Sequence, residues 1–172
     1  FTYGIDPGAD FHSFNIEHHT DYYSFNIRTP DKTIADLHFS YPGIINIENL
    51  TAAIAIAILC GVEEQEIRKA VVLFQGVRRR FDIRINMPGL TYVDDYAHHP
   101  TAVGATLRAL RDKFPDKKLR VVFQGHLYSR TKQFLADFAG AFLSVDTVLH
   151  LPIYPAREEF DPTISHEILA EE

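Results

Sequence analysis

The 172-residue sequence is short of three things: cysteine, positive charge and long apolar runs. Its single cysteine, Cys60, excludes an internal disulfide and a cysteine-based zinc site. Cys60 lies in "AIAIAILCG", where a buried, inert thiol is expected rather than a nucleophile. Lys and Arg total 17 against 23 Asp and Glu, giving a net charge of −6 and a sequence pI near 5.8. Broad binding to nucleic acid or an anionic membrane needs the opposite balance and is excluded, although a local basic patch can still hold a small anion. The longest apolar run, Ala52–Cys60, falls far short of the roughly 20 residues that cross a bilayer. No signal peptide is visible. A reducing, cytoplasmic setting is expected.

What is present is enough for a core, because 46% of the residues are hydrophobic. "YYSFNIR" alternates Tyr23, Phe25 and Ile27 against polar neighbours, and "TIADLHF" places Thr33, Ala35, Leu37 and Phe39 on one face. "TPDK" between them reads as a turn, so an antiparallel hairpin is expected, with "FHSFNIE" pairing beside it. After Pro42–Gly43, residues 46–61 read as a buried, alanine-rich helix ending on Gly61. Residues 63–74 read as a second helix with Ile67, Ala70, Val71 and Phe74 inward. "NMPG" (Asn86–Gly89) reads as a turn or linker, and a domain boundary is placed there, dividing the chain into 1–86 and 89–172.

From Leu90 the rhythm becomes strand–helix alternation. "LTYVDDY", "LRVVFQ" and "DTVLHLPIY" read as strands, and residues 100–114, 130–144 and a stretch from Ser165 as helices. The apolar centre of "LRVVFQ" is typical of a parallel strand covered on both faces. The order predicts an α/β fold with a doubly wound, Rossmann-like parallel sheet, whose functional groups gather at the carboxyl ends of its strands. The start at Phe1 and the closing "ISHEILAEE" read as the ends of a piece of a longer chain.

Strand ends are where the polar residues collect. "VDDYAHHP" (93–100) puts Asp94, Asp95, Tyr96, His98 and His99 between a strand and a helix that Pro100 opens. The aspartates can accept bonds from sugar hydroxyls or an amine, or simply cap the turn. The histidines can hold an anion or fill a polar niche, while a metal site would need further ligands from separate elements. "FQGHLYSRT" (123–131) sets His126 and Arg130 at the next strand end. There Arg130 can clamp a carboxylate or phosphate, or stand solvated beside a helix cap at Ser129. "RRR" (78–80) is either a solvated basic face or, near a domain boundary, a group that stabilises charge on a transferring phosphoryl. Asn46 and Asn49, three apart in a helix, can read a nucleobase edge or merely cap.

Taken in order, "PGxxNxxNxxAA" (42–53), "GVRRRFD" (76–82), "VDDYAHHPT" (93–101), "FQGHLYSRT" (123–131) and "YPAxE" (154–158) resemble the Mur ligases of peptidoglycan synthesis. The resemblance implies a central ATPase domain (here 1–86) followed by a C-terminal Rossmann-like domain (89–172). It implies ATP and magnesium as cofactors, and UDP-N-acetylmuramate and L-alanine as partners. The implied reaction is an ATP-dependent amide ligation through an acyl phosphate. By the same resemblance Asn46 and Asn49 match the adenine contacts, Arg80 the arginine at the ATP phosphates and Asp95 the ribose contact. His98, His99, His126 and Arg130 match the loops that face the amino acid and the acyl phosphate, with Arg80 and His98 catalytic. No metal ligand is assigned within this chain.

Three departures from the pattern stand out. Ile45 replaces a usual histidine, and Gly125-His126-Leu127 replaces Pro-His-Arg, so Arg130 is left as the lone cation of its loop. No GxxGK[ST] phosphate loop is present, nor the central-domain Glu and His that would carry magnesium. The sequence by itself is therefore expected to be inactive in ligation. An exposed sheet edge is expected to favour a homodimer. A muropeptide ligase of the same superfamily, a non-catalytic nucleotide- or peptide-binding module and a metal hydrolase are the alternatives.

Overall fold

In the computed structural model, which describes residues 1–172, Phe1–Arg78 form a first unit built on a four-stranded sheet. Its strands are β1 (Tyr3–Gly4), β2 (Phe11–His18), β3 (Tyr23–Arg28) and β4 (Thr33–Phe39), in that order. β2–β3–β4 is antiparallel, as the alternation predicts, and β1 runs parallel to β2. Tyr23, Phe25 and Ile27 point into the core. The phase of β4 differs from expectation. Ile34, Leu37 and Phe39 are buried while Thr33 and Ala35 face solvent. A bulge explains this: Asp36 adopts φ 54°, donates its N–H to Asn26 Oδ1 and shifts the pairing between Phe25↔Leu37 and Ile27↔Ile34.

Two helices cover this sheet, α1 (Ile44–Leu59) and α2 (Glu64–Leu73). Helix α1 ends as predicted. Gly61, at φ 80°, donates to Ile58 O, and Val62 donates to Ala57 O, which closes a Schellman cap. It begins two residues earlier than expected, at Ile44 rather than Asn46, with Gly43 as its N-cap. Cys60 is exposed at its end instead of buried, because the apolar run is longer than the face α1 buries. Ser13 Oγ and Thr51 Oγ1 form a fully buried hydrogen bond of 2.6 Å between β2 and α1, and Thr51 also donates to Ile47 O.

Arg79–Glu172 form the second unit. The division falls at Arg78/Arg79 rather than at 86/89, because Asn86–Gly89 is a hairpin turn and not a linker. β5 (Asp82–Met87) pairs antiparallel with β6 (Leu90–Asp94) across Pro88 and Gly89, the latter at φ 83°. Then follow α3 (Pro100–Lys113), β7 (Arg120–His126), α4 (Tyr128–Gln133), α5 (Leu135–Phe142), β8 (Thr147–Tyr154) and α6 (His166–Glu171). The α/β class holds, with parallel strands. The parallel ladder itself is β7–β8, and β6 pairs with β5. The helix expected over 130–144 is broken at Phe134 into α4 and α5.

Val103, Leu107, Phe123, Phe138, Phe142 and Leu169 make one core from α3, β7, α5 and α6. That core covers one face of the ladder. On the other, Val122 is 66% and Leu149 57% exposed, contrary to the two-sided burial expected for β7. No helix is long and apolar enough to cross a membrane.

Candidate functional site

Asp94 ends β6, and Asp95 takes the first position beyond it. Asp95 Oδ2 accepts from Phe81 N at 2.9 Å and from Thr106 Oγ1 at 3.1 Å, while Oδ1 accepts from Ala97 N at 2.8 Å. A carboxylate offers about four acceptor positions, so one remains for a ligand hydroxyl. The bonds to Phe81 and Ala97 also tie the "RRRF" turn to the segment entering α3. That turn is strained, with Arg79 at φ 60° and Phe81 at φ 43° on either side of Arg80. Tyr96 N donates to Arg79 O at 2.9 Å, and the Arg79 guanidinium lies 4.5 Å from the centre of the Tyr96 ring. Arg80 is thereby exposed at the tip of a fixed turn within the second unit, in the same unit as Asp95.

His98 donates Nδ1–H to Tyr96 O at 2.8 Å. A carbonyl can only accept, so the neutral ring presents Nε2 as its basic nitrogen. The His98 ring centre is 5.9 Å from that of His126, which lies 5.5 Å from that of Tyr154. The ends of β6, β7 and β8 thus meet through side chains. His99 takes the opposite course. Its Nδ1 caps α3 by accepting from Thr101 N, and its ring packs edge-on against Phe134 at 4.7 Å. It does not join His98.

After β7 the chain turns sharply. Gly125 is buried, and a Cβ there would meet Thr131 Oγ1 at 2.9 Å. Leu127 follows at φ 73°, its N–H bonded to Tyr154 O at 2.9 Å. His126 Nδ1 and Arg130 Nη1 are both buried with no hydrogen-bond partner. An unsatisfied buried polar group costs about 1–3 kcal/mol, and the guanidinium nitrogen can only donate, so this loop marks a place where an acceptor belongs.

Opposite them Glu158 accepts from Ser129 N at 3.0 Å and from Ser129 Oγ. Those two bonds, then the backbone N–H of Tyr128 and last the nearby Arg130 charge, hold its carboxyl below the usual carboxylate range. Glu158 and Thr106 received no role from the sequence. Glu158 carried a signal, as the last letter of "YPAxE"; Thr106 carried none.

Asn46 and Asn49 belong to the first unit. The Asn46 amide donates to Pro42 O, which fixes the entry to α1, and Asn49 is exposed, as is Ile45. No group of three or more His, Cys, Asp or Glu side chains converges in a way that could hold a metal ion. Magnesium, which usually takes one or two carboxylates together with substrate phosphates, does not require such a cluster.

Residues 79–172 match the family model "Mur ligase, glutamate ligase domain". A UDP-N-acetylmuramate–L-alanine ligase from Flavobacterium psychrophilum is 43% identical over 157 residues, which is 91% of this chain and 35% of the relative. The crystal structure of a UDP-N-acetylmuramate–alanine ligase from Thermotoga maritima superposes with a TM-score of 0.79 at 23% identity, covering 96% of this chain and 35% of that one. A murein peptide ligase from Psychrobacter arcticus gives a TM-score of 0.58 at 27% identity, over 85% and 31% of the two chains. The chain thus spans about a third of the length of the relatives it matches.

Proposed function

Because the chain belongs to the Mur ligase family, we propose that it supplies the ribose-, phosphate- and amino-acid-facing groups of an ATP-dependent ligase that joins L-alanine to UDP-N-acetylmuramate. The observation that carries this reading is the pair of buried, unpartnered nitrogens, Arg130 Nη1 and His126 Nδ1, in one loop, with the His126 ring beside that of His98. A carboxylate or phosphate oxygen would satisfy both.

In the proposed reaction the terminal phosphoryl of ATP passes to the muramate carboxylate and ADP leaves. Arg80, held in its turn by Phe81 N and Asp95, stabilises charge on the transferring group. Asp95 holds the ribose through its remaining acceptor position. Asn46 and Asn49 are the proposed adenine contacts of the first unit. The amino acid's ammonium loses one proton to His98 Nε2. The free amine attacks the acyl carbon, the carbon–phosphate oxygen bond breaks, and the departing phosphate takes the second amine proton. Arg130 and His126 hold the oxygen atoms of the amino acid carboxylate or the acyl phosphate, and His99 supports the loop from its cap. Magnesium would neutralise phosphate charge in this reaction, and no residue of this chain is proposed to hold it.

A cytoplasmic location follows from this chemistry, which consumes ATP. Self-association through the open β7–β8 ladder is a further part of the proposal, read by sedimentation of the 172-residue chain.

The test is a chimera in which residues 1–172 replace the matching segment of the Flavobacterium psychrophilum relative. The expected result is ADP release that requires both UDP-N-acetylmuramate and L-alanine. A chimera that folds but releases ADP only with a muramoyl peptide would favour a murein peptide ligase, the reading that the likeness to the Psychrobacter arcticus structure keeps open. A folded chimera inactive with every such acceptor would leave a binding module.

A further inference from the structure

The "YPAxE" segment has no part in the chemistry above, yet its Glu158 is bonded to Ser129 through both carboxylate oxygens. We propose that Glu158 is a positioning residue, which holds the loop carrying His126 and Arg130 in its binding geometry through Ser129; this rests on the ligase reading.

The geometry argues this in steps. Glu158 lies in the segment that follows β8, and Ser129 is in the first turn of α4 after β7, 29 residues away in sequence. Ser129 binds both oxygens of Glu158, one through its backbone N–H and the other through its hydroxyl, and the Tyr128 N–H adds to the hold on the same carboxylate. The backbone is strained on both sides of the contact: Ala156 sits at φ 53° and Leu127 at φ 73°. Such conformations persist only where the surroundings over-determine them. Here the fixing bonds are Leu127 N to Tyr154 O at 2.9 Å, Glu158 N to Pro155 O at 2.9 Å, and the Glu158–Ser129 pair.

Ser129 is followed directly by Arg130, and Leu127 is preceded by His126, two residues that each hold a buried side-chain nitrogen without a hydrogen-bond partner. By engaging Ser129, Glu158 fixes where Arg130 begins without consuming the guanidinium. A carboxylate paired directly to Arg130 would compete with the ligand. One bonded to the adjacent serine aims the arginine and leaves it available.

A simple helix cap would affect stability alone, whereas a positioning role appears as a split between substrates. In the chimera, Glu158→Ala should raise KM for L-alanine about ten- to a hundredfold, the scale of losing a charged hydrogen bond, with KM for ATP unchanged. Ser129→Ala, which keeps the N–H bond, should raise it less. Glu158→Gln should restore near-normal KM, because an amide can accept from the N–H and donate to the hydroxyl. Glu158→Ala should add nothing to Arg130→Ala, since the two act as one unit.

A Gln variant as impaired as Ala would overturn the proposal in favour of a direct charge contact with the amine. Additive effects with Arg130→Ala, or equal changes in both KM values, would also overturn it. If Glu158→Ala does not fold, Glu158→Gln and Ser129→Ala decide alone. An inactive unsubstituted chimera would strike the ligase reading instead. In that case amide-exchange protection at Ser129 in the 172-residue chain, lost in Glu158→Ala and retained in Glu158→Gln, still decides the positioning claim.

Discussion

Substituting Asp95 by Asn separates two adjacent aspartates that composition cannot tell apart. Asp95 accepts from Ala97 N through one oxygen and from Phe81 N and Thr106 Oγ1 through the other. An Asn at this position can keep its carbonyl on Ala97 or on Phe81, but not on both. With the carbonyl on Ala97, the amide NH2 faces Phe81 N–H, donor against donor across 2.9 Å. Thr106 can adapt by turning its hydroxyl to accept, whereas Phe81 cannot. One backbone donor is left unmade, at about 1–3 kcal/mol. The turn it held contains two left-handed residues that need such a bond to stay in place. Urea unfolding of the 172-residue chain should therefore show Asp95→Asn destabilised by about 1–3 kcal/mol. The Phe81 amide should lose exchange protection at the same time. Asp94→Asn, with no side-chain bond to lose, should stay within about 0.5 kcal/mol of wild type. Equal effects at the two positions, or an unchanged Phe81 amide, would refute the reasoning.

Three further outcomes are expected from unfolding measurements. Gly125→Ala should destabilise by about 1–3 kcal/mol, because its methyl meets the buried Thr131 at 2.9 Å, and Thr131→Ala should recover part of the loss. Thr51→Val should cost about 1–3 kcal/mol by orphaning the buried Ser13 hydroxyl, and the double variant with Ser13→Ala should cost less than Thr51→Val alone. Asp146 is held below the ordinary carboxylate range, first by Leu119 N–H and then by Arg111. A lowered folded pKa means that its stabilisation is complete above the unfolded value of about 3.9 and is lost as pH falls through the lower folded value. Asp146→Asn should therefore lower stability at neutral pH, and the gap to wild type should close in strong acid, as pH-dependent unfolding would show.

Much of this architecture was legible because local rules and tertiary packing agree. The β3–β4 hairpin, the Gly61 cap of α1, Pro100 at the start of α3 and the Ser165 cap of α6 all follow from turn and cap chemistry. What was not legible depends on contacts between distant segments. The phase change in the first half of β4, where Ile34 is buried in place of Thr33 and Ala35, comes from the bulge at Asp36. The boundary moved because β5 finds its partner across Pro88–Gly89, and "NMPG" looks the same in a hairpin as in a linker. At the site, the order of motifs singled out the loops after β6 and β7, and the structure brings the rings of His98 and His126 to 5.9 Å. It could not tell that His99 turns toward Phe134, or that Asp95 spends three bonds on its own chain. Side-chain direction at a strand end is set by the backbone after it, and that backbone is irregular here.

The most direct measurement is the KM for L-alanine of the chimera carrying Arg130→Ala, set beside its KM for ATP. If Arg130 Nη1 is the donor that meets the incoming amino acid or its acyl phosphate, the first should rise about ten- to a hundredfold while the second stays where it was. An unchanged KM for L-alanine in a folded, active chimera would contradict the account.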